Sequence, residues 1–276
     1  MSYVLNTPAD QKAMLARIGV ASVEELFANI PAGVRLQRAL ALPPPLCEQE
    51  LQQHLEQLAR RNDSAAVCFL GGGAYDHFIP SVVDTVAGRS EFYTAYTPYQ
   101  AEASQGTLQA IFEFQTLMCQ LTGQQVANAS MYDGSTALPE AVMMAVRLTG
   151  RSRVLVARSV HPEYRQVLHT YARNQGLGEA ELAYAASGQL DLDALRAALD
   201  DTVAAIAVQS PNFLGALEQL PQLAELAHSK GALLIVCIAE GMSLGIVRPP
   251  AEADIVALEA QAFGIPPSFG GPSVGV

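Results

Sequence analysis

From residue 65 onward, short apolar runs alternate with amphipathic stretches of helical period. Runs at 153–157, 203–209, 232–238 and 254–258 predict strands, and the stretches 104–121, 135–148, 161–174, 192–199 and 219–229 repeat their apolar residues at helical spacing. Such alternation predicts an α/β domain with a mainly parallel sheet and helices on both faces. The stretch from Ser104 carries Leu108, Ile111, Phe112, Phe114, Leu117, Met118 and Leu121 on more than one face. A helix buried nearly all round, central or at an interface, is expected there.

The first sixty residues have a different pattern. Thr7-Pro8 reads as a cap followed by a proline at the first helical position, and Ser22-Val-Glu-Glu25 reads as a capping box opening a helix over 23–28. Pro43-Pro44-Pro45 makes a stiff extended spacer, after which Leu51, Leu55 and Leu58 recur at helical spacing within 47–61. Three short helices bury little by themselves, so an N-terminal helical arm over 1–62 and a large domain over 63–276 are expected.

Composition narrows the partners. The 276 residues are 50% hydrophobic and 16% charged, with a formal net charge of -11. A mean hydropathy of +0.19 is high for a chain that must cover its whole surface with polar groups, and a large permanent interface accounts for it. The acidic balance excludes a sequence-independent grip on nucleic acid or on anionic membranes, which needs surplus Lys and Arg. Cys47, Cys68, Cys119 and Cys237 fall in no metal-binding or redox spacing, and three of them sit among apolar neighbours. Buried free thiols in a reducing cytoplasm are expected. Neither an export signal nor a membrane anchor is visible, and the longest aliphatic run, 232–239, is too short to span a bilayer.

Several segments could carry chemistry. The stretch Tyr96-Thr-Pro-Tyr-Gln-Ala-Glu102 offers phenol, amide and carboxylate tips from a loop stiffened by Pro98, ahead of a helix that Ser104 would cap. Its plainer reading is a polar loop before a core helix. Asp133-Gly-Ser-Thr136 opens the next helix, where backbone N–H groups, hydroxyls and the positive end of the dipole suit an anion such as phosphate, or else form a simple cap. Gly71-Gly-Gly73 lacks the spacing of a dinucleotide loop and reads as a turn. His161 follows a strand, where sheet enzymes place groups that face ligands, though a histidine at a helix start is as readily a cap. Glu102, Glu240 and Glu259 are candidate acids or bases, or structurally paired carboxylates. No metal site is expected, since no metal-ligand spacing occurs.

The lysine count is the sharpest negative. The chain has only Lys12, in the arm, and Lys230, in a helix-to-strand turn. Schiff-base chemistry with pyridoxal phosphate (PLP) and the Tyr-x-x-x-Lys pair of short-chain dehydrogenases both need a lysine at the sheet's active edge, so a self-sufficient version of either is disfavoured.

Six segments taken together resemble one family. They are residues 96–109, Phe112-Glu-Phe-Gln-Thr-Leu117, Leu121-Thr-Gly123, Asn128-Ala-Ser-Met-Tyr-Asp-Gly-Ser-Thr-Ala137, Gln209-Ser-Pro-Asn-Phe-Leu-Gly215 and Ser268-Phe-Gly-Gly-Pro272. The family is the P-protein of the glycine cleavage system, glycine dehydrogenase (decarboxylating), and the likeness is to its N-terminal, subunit 1 half over the whole chain. The resemblance implies the large domain of a type I PLP-dependent transferase behind the helical arm. It also implies a small C-terminal domain beyond Val276, so this chain looks truncated. By the same resemblance PLP sits on the partner, P-protein subunit 2, and Gln261 stands where that subunit has its lysine. Gly134, Ser135 and Thr136 then hold the phosphate-loop position and His161 the ring-stacking position, as vestiges. Glu240 falls about where a PLP-holding half has the aspartate that pairs with the ring nitrogen. Tyr96, Tyr99, Gln100 and Glu102 are expected at the shared cleft.

The implied reaction is decarboxylation of glycine on PLP and transfer of the aminomethyl group to the lipoyl group of the H-protein, by a cytoplasmic heterotetramer. Two other readings stand beside it: a scaffold subunit with no active-site group, and an oxidoreductase binding a nucleotide through Gly71 to Gly73.

Overall fold

The computed structural model describes residues 6–62, 67, 69–93, 95–268 and 270–276. Two compact units divide the chain, Met1–Val67 and Cys68–Val276.

In the first unit, α1 (Pro8–Ile18) starts from a reciprocal capping box between Thr7 and Asp10 and stops at Gly19, whose φ of 90° is open to glycine. Ser22 opens a 3-10 turn, Val23–Phe27, in place of the expected helix over 23–28. Its hydroxyl makes no cap bond, and the Glu25 carboxylate accepts instead the N–H of Ala21, one residue before the cap, at 3.2 Å. In α2 (Glu48–Ala59) the Glu50 carboxylate accepts the Cys47 N–H at 2.9 Å. None of these elements contains a buried residue, and Leu51, Leu55 and Leu58 are all exposed.

The second unit holds a parallel five-stranded sheet in the order β2-β1-β3-β4-β5, with strands β1 (Arg153–Ala157), β2 (Gly178–Leu182), β3 (Val203–Gln209), β4 (Leu233–Ile238) and β5 (Ile255–Leu258). All seven side chains of β3 are buried although successive ones point to opposite faces, so both faces of the sheet are covered at its centre. The short helices α3 (Ser81–Ala87) and α4 (Ser90–Tyr93) lead to α5 (Gln105–Thr122), and Ser104 stands at its N-cap without a side-chain bond. Next come α6 (Gly134–Thr149), α7 (Pro162–Ala172), α8 (Leu192–Ala198) and α9 (Leu220–Ser229). α6 packs on β3, β4, β5 and α7, and α9 on β4. Leu138, Val142, Leu155, Ile206, Leu234 and Val236 meet in the main core.

Two sets of residues are more exposed in the single chain than their apolar sequence suggests. α5 buries only Met118 and Thr122 completely, while Phe112 is 65% and Leu117 54% exposed. Among the described residues, Met118 and Phe114 pack in a small core cluster while much of the remaining apolar surface of α5 is open. Among the described cysteines Cys237 alone is buried; Cys47 is exposed at the start of α2, Cys119 is half-buried, and Cys68 lies outside the described residues. An apolar neighbour in sequence is not a neighbour in space, and Cys47 sits in a unit with no core.

Candidate functional site

In a parallel sheet ligands gather at the carboxyl ends of the strands, where the chain leaves neighbouring strands in opposite directions. Here β1 connects outward to β2 while β3 connects the other way to β4, so that point lies between β1 and β3. His161 follows β1, and its N–H donates to Oε1 of Gln209, the last residue of β3, at 2.8 Å. Glu259 follows β5, and α6 begins beside it.

The start of α6 is densely bonded. Asp133 is its N-cap, and Oδ1 accepts from the Thr136 N–H at 2.7 Å and the Ser135 hydroxyl at 2.8 Å. The Gly134 N–H donates to Oε2 of Glu259 at 2.9 Å. Oε1 of Glu259 accepts two more, from Gln261 N–H at 2.9 Å and Val274 N–H at 3.0 Å. Three backbone donors from three segments thus converge on one carboxylate. Gly134 is glycine for lack of room, since a Cβ there would overlap the phenol oxygen of Tyr164 and lie 2.9 Å from Glu259 Cβ. Gly275 bridges Met131 and Glu259 in antiparallel fashion and holds the last segment in place.

His161 has both ring nitrogens engaged. Nδ1 accepts the Glu163 N–H at 3.2 Å as the N-cap of α7, which leaves Nε2 to carry the proton and donate to the Gly72 carbonyl at 2.7 Å. The imidazole also packs on Tyr164, at 5.1 Å between centroids, and edge-on against Phe213 at 5.0 Å. Burial, and then the nearby Glu259 carboxylate, push the Tyr164 phenol far above its ordinary pKa. The phenol is a neutral hydroxyl here.

Asp133, Ser135, His161, Glu163, Glu259 and Gln261 are among the residues enclosing a cavity of about 180 Å³. Three of these are carboxylates, and neither lysine nor arginine lines the cavity. Gln261 spends its own amide on the Ile265 carbonyl. Gly134, Ser135, Thr136, His161 and Gln261 are therefore brought together. Tyr96, Tyr99, Gln100 and Glu102 stand elsewhere, exposed on the surface, with the two tyrosine rings 6.2 Å apart. Glu240 accepts the Met242 N–H at 3.0 Å and pairs with His77 Nε2 at 3.2 Å. Gly71, Gly72 and Gly73 have φ of 69°, 86° and 89°, and the next helix starts only at Ser81, so they form a turn and not a nucleotide loop.

Sequence reasoning overlooked Tyr164 and the buried Glu218. Tyr164 lies three residues after His161, one helical turn along α7, which is a legible signal. Glu218 accepts from Asn212 Nδ2 at 2.8 Å and the Leu190 N–H at 2.9 Å, and the second partner, 28 residues away, falls in no local pattern. Among the described residues no three His, Cys, Asp or Glu side chains form a metal-binding group, and no helix is long and apolar enough to cross a membrane.

A family model described as the glycine cleavage system P-protein matches residues 1–276. A probable glycine dehydrogenase (decarboxylating) subunit 1 from Solibacter usitatus is 54% identical over 277 residues, covering 100% of this chain and 62% of the relative. One of the same name from Koribacter versatilis is 52% identical with the same coverage. The chain thus spans about 62% of the length of these curated relatives. A crystal structure of glycine decarboxylase (P-protein) of the glycine cleavage system, in inhibitor-bound form, superposes with a TM-score of 0.85 at 46% identity, over 100% of this chain and 62% of that one. A Burkholderia pseudomallei sphingosine-1-phosphate lyase, at TM-score 0.60 and 17% identity over 89% of this chain and 61% of its own, shares the fold alone. The fold is that of the large domain of PLP-dependent transferases.

Proposed function

The chain belongs to the glycine cleavage system P-protein family, and on that footing we propose that it is the non-catalytic half of a two-subunit glycine decarboxylase. The whole enzyme would remove the carboxylate of glycine and pass the aminomethyl group to the lipoyl group of the H-protein. The observation that carries this reading is agreement over the whole chain with relatives named subunit 1, a name that implies a second subunit.

PLP and its electron-sink chemistry then belong to the second subunit. In support, the cleft of this chain does not fit a phosphate-bearing aldehyde. Gln261 offers no amine, neither lysine of the sequence lines the cleft, and the Gly134 and Thr136 N–H groups at the start of α6 are already spent on Glu259 and Asp133. What this chain would bring to the assembly is surface. Tyr96, Tyr99, Gln100 and Glu102 would extend hydrogen-bonding tips into the partner's cleft, and the uncovered face of α5 would seat the partner. Exposure of all four loop residues in the single chain suits that role.

Borohydride reduction in the presence of PLP and glycine, followed by intact mass, tests the assignment. The pyridoxyl adduct is expected on the partner subunit when both are present, and none on this chain alone. An adduct on this chain would overturn the reading.

A further inference from the structure

The Gly134 N–H at the positive end of the 16-residue α6, which donates to Oε2 of Glu259, and the Gln261 and Val274 N–H groups, which donate to its Oε1, together make an oxyanion site. In this chain the site is already taken by a carboxylate of the chain itself. We propose that Glu259 is a built-in anion: it fills the oxyanion site at the start of α6 and thereby keeps phosphate-bearing ligands out of the cleft.

Two further features support this. Asp133 and Glu163 line the same cavity, so a phosphate that displaced Glu259 would meet carboxylates with no lysine or arginine to offset them. And Glu259 cannot readily swing away, because its backbone N–H donates to the Ile238 carbonyl at 2.9 Å while its Oε1 holds the Val274 N–H at 3.0 Å. Removing the carboxylate would therefore uncover donors held by the fold, which is the requirement for an anion site. This goes deeper than the absence of a Schiff-base lysine. A chain that lacked only that lysine could still bind PLP non-covalently through its phosphate, whereas a chain with its own anion in place could not. The inference rests on the reading that this chain carries no cofactor.

The test uses the full-length chain, inorganic phosphate and formate as probes, and sodium chloride at equal ionic strength as the reference. Wild type is expected to gain no more in Tm from phosphate or formate than from chloride. Glu259→Ala, which opens the site, is expected to melt lower and to recover a saturable rise of about 2–4 °C on adding either oxyanion. Glu259→Asp keeps the charge and is expected to gain nothing. Should Glu259→Ala be unfolded in buffer, return of its far-UV helix signal with phosphate or formate supports the proposal, and failure to return overturns it. A saturable oxyanion response in wild type, or none in folded Glu259→Ala, also overturns it. These outcomes are separable from the borohydride result, which reports on lysine chemistry and not on the oxyanion site.

Discussion

Gly134 has room for a hydrogen and nothing larger, and the reason lies in two residues far from it in sequence. A methyl group there would run into the Tyr164 hydroxyl and crowd Glu259. Gly134→Ala is expected to destabilise the chain by about 1–3 kcal/mol, the range for overpacking a filled site. In a Tyr164→Phe background the penalty should shrink, because the hydroxyl that the new methyl meets is gone. A double-mutant cycle by urea denaturation measures that coupling. The sequence showed a donor-rich helix start here but not what occupies it, because Gly134 and Glu259 are 125 residues apart and no local pattern links them. His161 was legible in kind: a histidine at a helix start caps it, while its bond to the Gly72 carbonyl, across 89 residues, could come only from the fold.

Elements were legible in proportion to how much of their burial is internal to the chain. β1 and β3 fall at the expected residues, since central strands covered on both faces read as unbroken apolar runs. β2 went unread because Gly178-Glu-Ala-Glu-Leu182 is an edge strand, paired with β1 alone and carrying carboxylates. Glu181 meets Arg165 and lies 3.8 Å from Arg158, so its charge is balanced by residues distant in sequence, and Glu179 lies 3.4 Å from His169. α5 gives the opposite lesson. Its residues were read correctly as apolar on several faces, but this chain leaves much of that surface open, and the proposed partner is what would cover it. Burying a phenylalanine is worth about 1.5–3 kcal/mol. Phe112→Glu is therefore expected to weaken association with the second subunit about 10- to 100-fold, with the chain's own circular dichroism unchanged. Sedimentation of the mixed subunits decides it, and unaltered association would remove α5 from the interface.

Across the whole molecule, the alternation of strands and helices announced an α/β sheet, while the order β2-β1-β3-β4-β5 depended on crossovers that leave no mark on periodicity. Stability against pH is another property of the whole. The Cys237 thiol, buried in β4, is pushed up from 9.0 to about 12 by loss of solvent, and the Tyr164 phenol is raised as well. Above pH 9 the unfolded chain releases protons that the folded chain keeps, so the unfolded state binds fewer and stability falls as pH rises. Urea midpoints should hold steady up to pH 8 and decline from pH 9 to 11, and Cys237→Ala should flatten the first part of that decline.

The bond between Gly134 and Glu259 also has a history in time. Synthesis runs from the N-terminus at roughly 5–20 residues per second, so the 125 residues between them take about 6–25 s to make. Through that interval α6 exists without its counter-charge, and the helix start is finished only after all five strands of the sheet have been made.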